Sequence, residues 1–258
     1  MALLEYNATV SQRVEIAPGL MILRVVPDQL PFVFQAGQYT VLGMKGAVDD
    51  PEKLVRRAYS IASSSRAEEF IEFYLALVPS GELTPKLFNL QVRDRLFMGA
   101  KATGMFTLAR VPRDKHVILV GTGTGLAPYM SMLRSEVECG GARKLVVLHG
   151  ARYSWDLAYR TELMSLSRKC PNISYLPVVS QKEDDPTWGG LTGYLQDVLF
   201  SGEVERCAGI PLDPQQAHVF LCGNPLMIEA AKARLVAERG YLPDHKKEIG
   251  TIHLEEYW

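Results

Sequence analysis

The stretch HVILVGTGTGLAP, residues 116–128, constrains this chain more than any other. Four apolar, mostly β-branched residues, 117–120, read as a buried strand. They run into Gly121, Gly123 and Gly125, and Pro128 then opens an apolar-periodic segment that reads as a helix. A strand, a glycine turn and a helix start gather free backbone N–H groups and a positive dipole end at one point. That makes an anion site, suited to a nucleotide pyrophosphate. Glycine is required there because side chains hold phosphates away from the backbone. The full dinucleotide fingerprint asks for glycine or alanine at position 126, where Leu126 stands, and no Gly-Lys-Ser/Thr of a P-loop follows. A tight turn without a ligand is the alternative, and the flanking sequence decides between the two.

Up to about Pro112 the flank is strands and turns. Leu4, Tyr6, Ala8 and Val10 alternate with polar residues. Pro18-Gly19 marks a turn, and further strands are expected over residues 20–26, 38–44, 57–61, 71–78 and 95–98, with a short helix over 84–90. Short strands with Gly/Pro punctuation predict a small antiparallel β-barrel. After Pro112 strands alternate with helices: 117–120, 145–149, 173–179 and 218–222 against 128–137, 159–168, 194–199 and 228–239. That alternation predicts an α/β domain with a parallel sheet. The expected organisation is therefore two domains, 1–112 and 113–258, with residues 202–216 as an insertion loop.

Composition narrows the functions. A net charge of −1 over 258 residues argues against a nucleic-acid partner. No apolar run approaches the ~20 residues of a membrane span. The start, MALLEYN, has neither a basic region nor a secretory core, so a cytoplasmic location is expected. The four cysteines, Cys139, Cys170, Cys207 and Cys222, lack zinc or iron–sulfur spacing and suggest no disulfide framework. The five histidines are scattered and read as surface or packing residues; no metal is expected.

In the first domain, Arg57, Ala58, Tyr59 and Ser60 lie on a strand whose alternation sends Arg57 and Tyr59 to one face. An arginine beside a tyrosine makes a phosphate clamp and an aromatic platform, as a flavin nucleotide needs. The alternative is a solvated arginine and a half-buried strand tyrosine. Residues 78–84 then give a turn and a helix start, with Gly81 and a capping Thr84 offering N–H groups to phosphate.

In order, Arg57-Ala-Tyr-Ser60, Gly81-x-Leu83-Thr84, the 121–128 glycine stretch and Cys222-Gly-Asn-Pro225 resemble the ferredoxin–NADP(H) reductases, specifically their bacterial flavodoxin/ferredoxin-using branch. The resemblance spans essentially the whole chain. It implies an FAD-binding barrel followed by an NADP(H)-binding domain, with FAD in the crevice between them. By resemblance, Arg57 meets the FAD pyrophosphate, Ala58 belongs to the FAD set, Tyr59 lies on the flavin ring and Ser60 bonds near flavin N5. Leu75, Ala76, Leu77, Glu82, Leu83 and Thr84 hold the rest, and Thr124 reaches the flavin from the second domain. The chain ends Glu255-Glu-Tyr257-Trp258. Two terminal aromatics are odd at a fraying end. In that branch the tyrosine stacks on the flavin and the tryptophan on the adenine, and Glu255 corresponds to an acidic residue that tunes the flavin.

For NADP the set implied is Gly121, Thr122, Gly123 and Gly125, then Ala151, Arg152, Ser180, Gln181, Lys182 and Tyr194, with Cys222, Gly223, Asn224 and Met227 near the nicotinamide. Cys222 ends a buried strand and is expected beside the hydride path without covalent chemistry. No acid follows the second strand until Asp156, and Arg152 suits a 2′-phosphate. Relatives usually carry arginines where this chain has Gln181 and Tyr194; Lys182 is a candidate substitute. The resemblance implies a monomeric enzyme passing electrons between NADPH and ferredoxin or flavodoxin through FAD, with Tyr59, Ser60, Cys222 and Glu255 nearest the chemistry. Neither the carrier nor the direction follows from the sequence. Two other readings stand: an NADH-dependent flavin reductase serving an oxygenase, and a non-catalytic FAD-binding subunit. Lys45, Lys53, Arg56, Lys101, Lys246 and Lys247 read either as a docking rim for an acidic carrier or as solvated surface.

Overall fold

A computed structural model describes residues 6–256 in two compact units. Leu4 and the terminal Tyr257 and Trp258 lie outside the described residues. One unit runs to Thr107 and takes in Ala127–Glu136; the other holds Leu108–Leu126 and the chain from Val137 onward.

The first unit is an antiparallel sheet of six strands: β1 (Ala8–Ala17), β2 (Leu20–Pro27), β3 (Tyr39–Lys45), β4 (Leu54–Ser60), β5 (Ile71–Ala76) and β6 (Arg95–Met98). Their order is β4-β3-β6-β1-β2-β5. An antiparallel bridge between Ile61 and Phe73, with Ala62 N–H donating to the Glu72 carbonyl (2.7 Å), brings the two outer strands together and closes the barrel. Alternation on β2 buries Met21, Leu23 and Val25, which pack with Leu42, Phe73, Leu75 and Leu96. The six-residue α1 (Thr84–Asn89) buries Leu87 against this core.

Helix α2 (Ala127–Glu136) also belongs to this unit. It is buried nearly all round, so its stripe is not read from amphipathicity. Polar contacts fix its end: Arg134 donates to Glu72 Oε1 (2.7 Å) and to the Ala62 carbonyl (2.8 Å), and Ser135 Oγ accepts from Ser65 N–H (2.8 Å). Glu72 is wholly buried and also accepts from Arg24 Nε (2.7 Å), so this carboxylate is neutralised from two sides.

The second unit is a parallel sheet of β7 (His116–Thr122), β8 (Leu145–Ala151), β9 (Ile173–Val179), β10 (Leu191–Thr192), β11 (Ala217–Gly223) and β12 (Ile252–Glu256). The order is β10-β9-β8-β7-β11-β12. Strands buried on both faces read as continuous apolar runs, as 117–120 and 145–148 do. Helices α3 (Arg160–Lys169), α4 (Leu195–Phe200), α5 (Glu203–Ala208) and α6 (Pro225–Arg239) complete the unit. Asn224 caps α6, its Oδ1 accepting from Leu226 N–H (2.8 Å), and Gly240 at φ +71° ends it.

Two expectations change and one C-terminal strand is added. The 202–216 segment contains α5, whose Val204 joins the core, because one buried residue in an otherwise polar turn leaves no visible period. The C-terminal segment is an edge strand, held through backbone pairing of Ile252 to Val219 onward. Cys139 and Cys170 form a disulfide across 31 positions of chain; parallel-sheet topology brings the loops before β8 and β9 together, which residue spacing does not reveal. Cys207 and Cys222 take no part in a disulfide among the described residues.

Candidate active site

The parallel sheet reverses its winding at β7. Strand β8 lies on one side of it and β11 on the other, and ligands of such sheets bind beyond the carboxyl ends at this switch point. Two loops meet there. Gly121 remains in β7, paired with Cys222 and His149, so the turn begins only at Gly123. Gly123–Leu126 forms one 3₁₀ turn before α2. A Cβ on Gly125 would stand 2.4 Å from the Cys222 carbonyl oxygen and 2.7 Å from Gly223 N. A Cβ on Gly223 (φ +119°) would stand 2.3 Å from Thr122 Oγ1, which itself accepts from Asn224 N–H at 2.7 Å. Thr122, Gly125, Cys222, Gly223 and Asn224 therefore interlock through backbone. Gly123 (φ +53°) is the opposite: nothing lies within 4 Å of its missing Cβ. The space beside its α-carbon is open, as close approach of a pyrophosphate to the backbone requires. Thr124, on the same turn, is half-buried.

Cys222 is wholly buried, and β-pairing sets Glu255 directly opposite it. Met227 is buried in α6 and packs in the core of the second unit. Across the β11–β12 pair, His218 Nδ1 and His253 Nε2 lie 3.0 Å apart, both buried, and His253 stacks on Phe220. Burial pushes His253 down to about 4, with the neighbouring Asp244 carboxylate opposing the shift. Arg110 grips Asp244 with two hydrogen bonds of 2.8 Å. These histidines are packing residues that anchor the last strand.

The residues expected to read the coenzyme's 2′-phosphate lie at the ends of β8 and β9. Ser180 N–H donates to the Ala151 carbonyl (3.0 Å) and Gln181 N–H to the Arg152 carbonyl (3.0 Å). Arg152, Gln181 and Tyr194 are exposed, Tyr194 by 64%. Lys182 is engaged elsewhere: its ammonium donates to the Trp188 carbonyl (2.7 Å) and closes its own loop. Sequence spacing gives no hint of that acceptor.

In the barrel unit, Arg57 and Ala58 are exposed on β4, Tyr59 is half-buried and Ser60 is buried. One Arg57 N–H donates to the Arg56 carbonyl (2.8 Å), holding the fork on the strand. Burial raises the Tyr59 phenol to about 12, with the Arg57 charge pulling the other way. Tyr59 is thus a neutral platform beside a fixed positive charge, which fits a flavin pyrophosphate and ring. The bridge from Ile61 to Phe73 brings the Ser60 end of β4 beside β5, which carries Leu75 and Ala76. Leu75 and Leu83 are core residues, so only their backbone is available. Leu77 and Glu82 sit on the following loop; Glu82 Oε1 accepts from Val48 N–H (3.2 Å). Thr84 is no cap: it is the first residue of α1, and its hydroxyl both accepts from Val78 N–H (2.9 Å) and donates to the Val78 carbonyl (3.1 Å). Of the basic residues considered for docking, Lys45 is paired with Glu52 (2.9 Å) and Lys53 with Asp49 (2.8 Å).

A barrel with a charged aromatic strand and a parallel sheet with a glycine cradle at its switch point define a two-domain flavin- and nicotinamide-nucleotide-dependent oxidoreductase. Residues 7–105 match the family model of an oxidoreductase FAD-binding domain, and residues 119–233 that of an oxidoreductase NAD-binding domain. The flavodoxin/ferredoxin–NADP reductase of Escherichia coli K12 is 34% identical over 240 residues, covering 93% of each chain. The chain belongs to the flavodoxin/ferredoxin–NADP reductase family. The reductase component of phenol 2-monooxygenase from Pseudomonas sp. CF600 is 32% identical over 91% of this chain and 62% of its own. A ferredoxin NADP⁺ reductase from Neisseria gonorrhoeae, solved with FAD and NADP, superposes with a TM-score of 0.82 over 98% of both chains at 22% identity, a likeness of fold. No helix among the described residues is long and apolar enough to cross a membrane.

Proposed function

We propose that this FAD-dependent oxidoreductase exchanges electrons between NADPH and a ferredoxin or flavodoxin, as a monomer. The observation that carries the nucleotide half is the backbone interlock of Gly125 with Cys222 and Gly223, which leaves Gly123 facing open space. Family membership favours an enzyme over a non-catalytic subunit.

Arg57, Ala58, Tyr59 and Ser60, with residues 75–77 and 82–84, hold FAD in this reading, and Thr124 and the terminal Tyr257 and Trp258 add to that set. Gly121, Thr122, Gly123, Gly125, Gly223 and Asn224 hold the coenzyme phosphates and nicotinamide side, and Ala151, Arg152, Ser180, Gln181 and Tyr194 the adenosine side. Bound FAD supplies the change from two-electron to one-electron transfer. Tyr59 stays neutral at physiological pH, because its phenol titrates near 12. Cys222, sealed from water, acts as a small apolar wall. Glu255, opposite Cys222, brings a carboxylate to the same strand end. No residue needs to act as a strong acid or base.

A second reading, an NADH-dependent reductase serving an oxygenase, is favoured by Gln181 and Tyr194 and by the likeness to the phenol 2-monooxygenase component. Pigment release with chromatography, followed by NADPH- and NADH-driven reduction of ferricyanide and of a flavodoxin, tests both. FMN or no flavin overturns the FAD assignment. Equal use of the two coenzymes supports the second reading.

A further inference from the structure

A cavity of about 470 Å³ opens where α3 meets β9 and the loop that carries Trp188. None of the residues assigned above to FAD or NADP lines it. On α3 its wall is one stripe, Arg160, Met164, Ser167 and Arg168, spaced i, i+4, i+7 and i+8. On β9 it is Tyr175 and Pro177, two residues apart and so on one face. A helix stripe that faces a sheet is ordinarily apolar throughout. Here it begins and ends on arginine.

The two arginines are not used up by the fold. The Arg160 guanidinium lies 4.9 Å from the centre of the Trp188 ring, and its Nε is sealed from solvent with no hydrogen-bond partner. Among the described residues, neither Arg160 nor Arg168 has a carboxylate within ion-pair distance or a hydrogen-bond acceptor. Buried Asp185 feels the Arg160 charge, but its oxygens accept from Ser154 N–H (2.7 Å) and Thr187 Oγ1 (3.2 Å). The opposite wall is rigid: Trp188 Nε1 donates to the Leu191 carbonyl (2.8 Å), and Lys182 holds the Trp188 carbonyl. Deeper in, the Tyr175 hydroxyl is 3.1 Å from Nδ1 of His149, which full burial drives down to about 3 and so keeps neutral. Gly189 adds open volume, with nothing within 4 Å of its missing Cβ. The Ser167 hydroxyl donates to the Met164 carbonyl (3.1 Å) and the Thr187 hydroxyl to Asp185, so recognition of an oxyanion falls to the two guanidinium groups, Arg160 held against Trp188 and Arg168 at the exposed rim. The volume suits a molecule up to mononucleotide size.

We propose that this cavity is a second ligand site, for a small organic anion bearing phosphate or carboxylate groups, distinct from the coenzyme site. Arg160 and Arg168 hold the anionic groups, and Tyr175, Pro177 and Met164 pack against its body. The test is calorimetric titration of the FAD-loaded full chain with pyrophosphate and, separately, citrate, both with saturating NADP present to occupy the coenzyme site. One-to-one binding that survives NADP is expected, with the stronger probe identifying the anion class. Arg160→Met and Arg168→Met should each weaken it by about tenfold or more, the loss of one charge-assisted contact. Ser167→Glu, on the half-buried wall, should abolish binding by like charge while the melting temperature and the NADPH Michaelis constant hold; it serves also where an arginine variant does not fold. Absence of saturation at about 10 mM of either probe, weaker than any specific site warrants, overturns the proposal. So does binding that NADP abolishes, or binding that Ser167→Glu leaves intact.

Discussion

Replacing Gly125 by alanine puts the interlock of the two nucleotide loops to a direct test. The new methyl would stand 2.4 Å from the Cys222 carbonyl oxygen, 2.6 Å from its carbon and 2.7 Å from Gly223 N. All three are backbone atoms. Cys222 is held by pairing to Gly121 on one side and Glu255 on the other, so it cannot swing away as a side chain would. An ordinary carbon–oxygen contact needs about 3.3 Å, so the loops must part by roughly 1 Å. Overpacking of this kind costs about 1–3 kcal/mol, which lowers the melting point by roughly 2–4 °C for each kcal/mol in a chain of this size. A shift of about 1 Å in a positioning element can also cost on the order of 100-fold in rate. The expected result is a lower melting temperature without NADP and a large fall in NADPH-driven ferricyanide reduction, with flavin content unchanged. Gly123→Ala is the control. Its methyl meets no protein atom, and the left-handed φ of +53° costs about 1–2 kcal/mol. It should lose NADP affinity because the methyl enters the ligand's space. A Gly125→Ala protein that melts with the parent and binds NADP normally would refute the interlock.

Three further outcomes are expected. Because burial lowers His253 from 6.5 to about 4, its neutral form stabilises the fold fully above pH 6.5, and that contribution fades as pH falls toward 4. It amounts to at most about 3 kcal/mol; urea midpoints across this window should show it, and His253→Gln should flatten the slope, leaving the parts due to His149, His218 and His116, which burial also lowers. Arg152→Ala should raise the NADPH Michaelis constant about ten- to hundredfold, the value of one charge-assisted contact, and spare NADH; equal weakening of both coenzymes would remove Arg152 as the phosphate reader. Thiol titration of unreduced, unfolded protein should find two thiols, those of Cys207 and Cys222. Reducing the bridge between Cys139 and Cys170, which closes 31 positions of chain, should cost about 3–4 kcal/mol; four free thiols before reduction would show that the bridge does not form.

What the sequence alone determined is whatever is written in local order. Residues 173–179 read as a strand and are β9 without change, because apolar β-branched runs bounded by turns carry their own signal. The same holds for residues 95–98 and for the turn at Gly19. The glycine stretch and the order of four short motifs disclosed the nucleotide chemistry, since close backbone approach leaves glycine as the one residue that fits. Tertiary structure decided the rest. Only the pairing of β12 with β11 sets Glu255 opposite Cys222, and only the switch point brings Gly125 against Gly223. Only folding assigns Thr84 to Val78 and Lys182 to Trp188, and joins Cys139 to Cys170. Helix α2 belongs to the barrel unit although its sequence neighbours lie in the other, which no local pattern records. The physical reason is common to all: period and turn chemistry act over a few residues, whereas partner choice is settled by groups far apart in the chain that burial forces to satisfy one another.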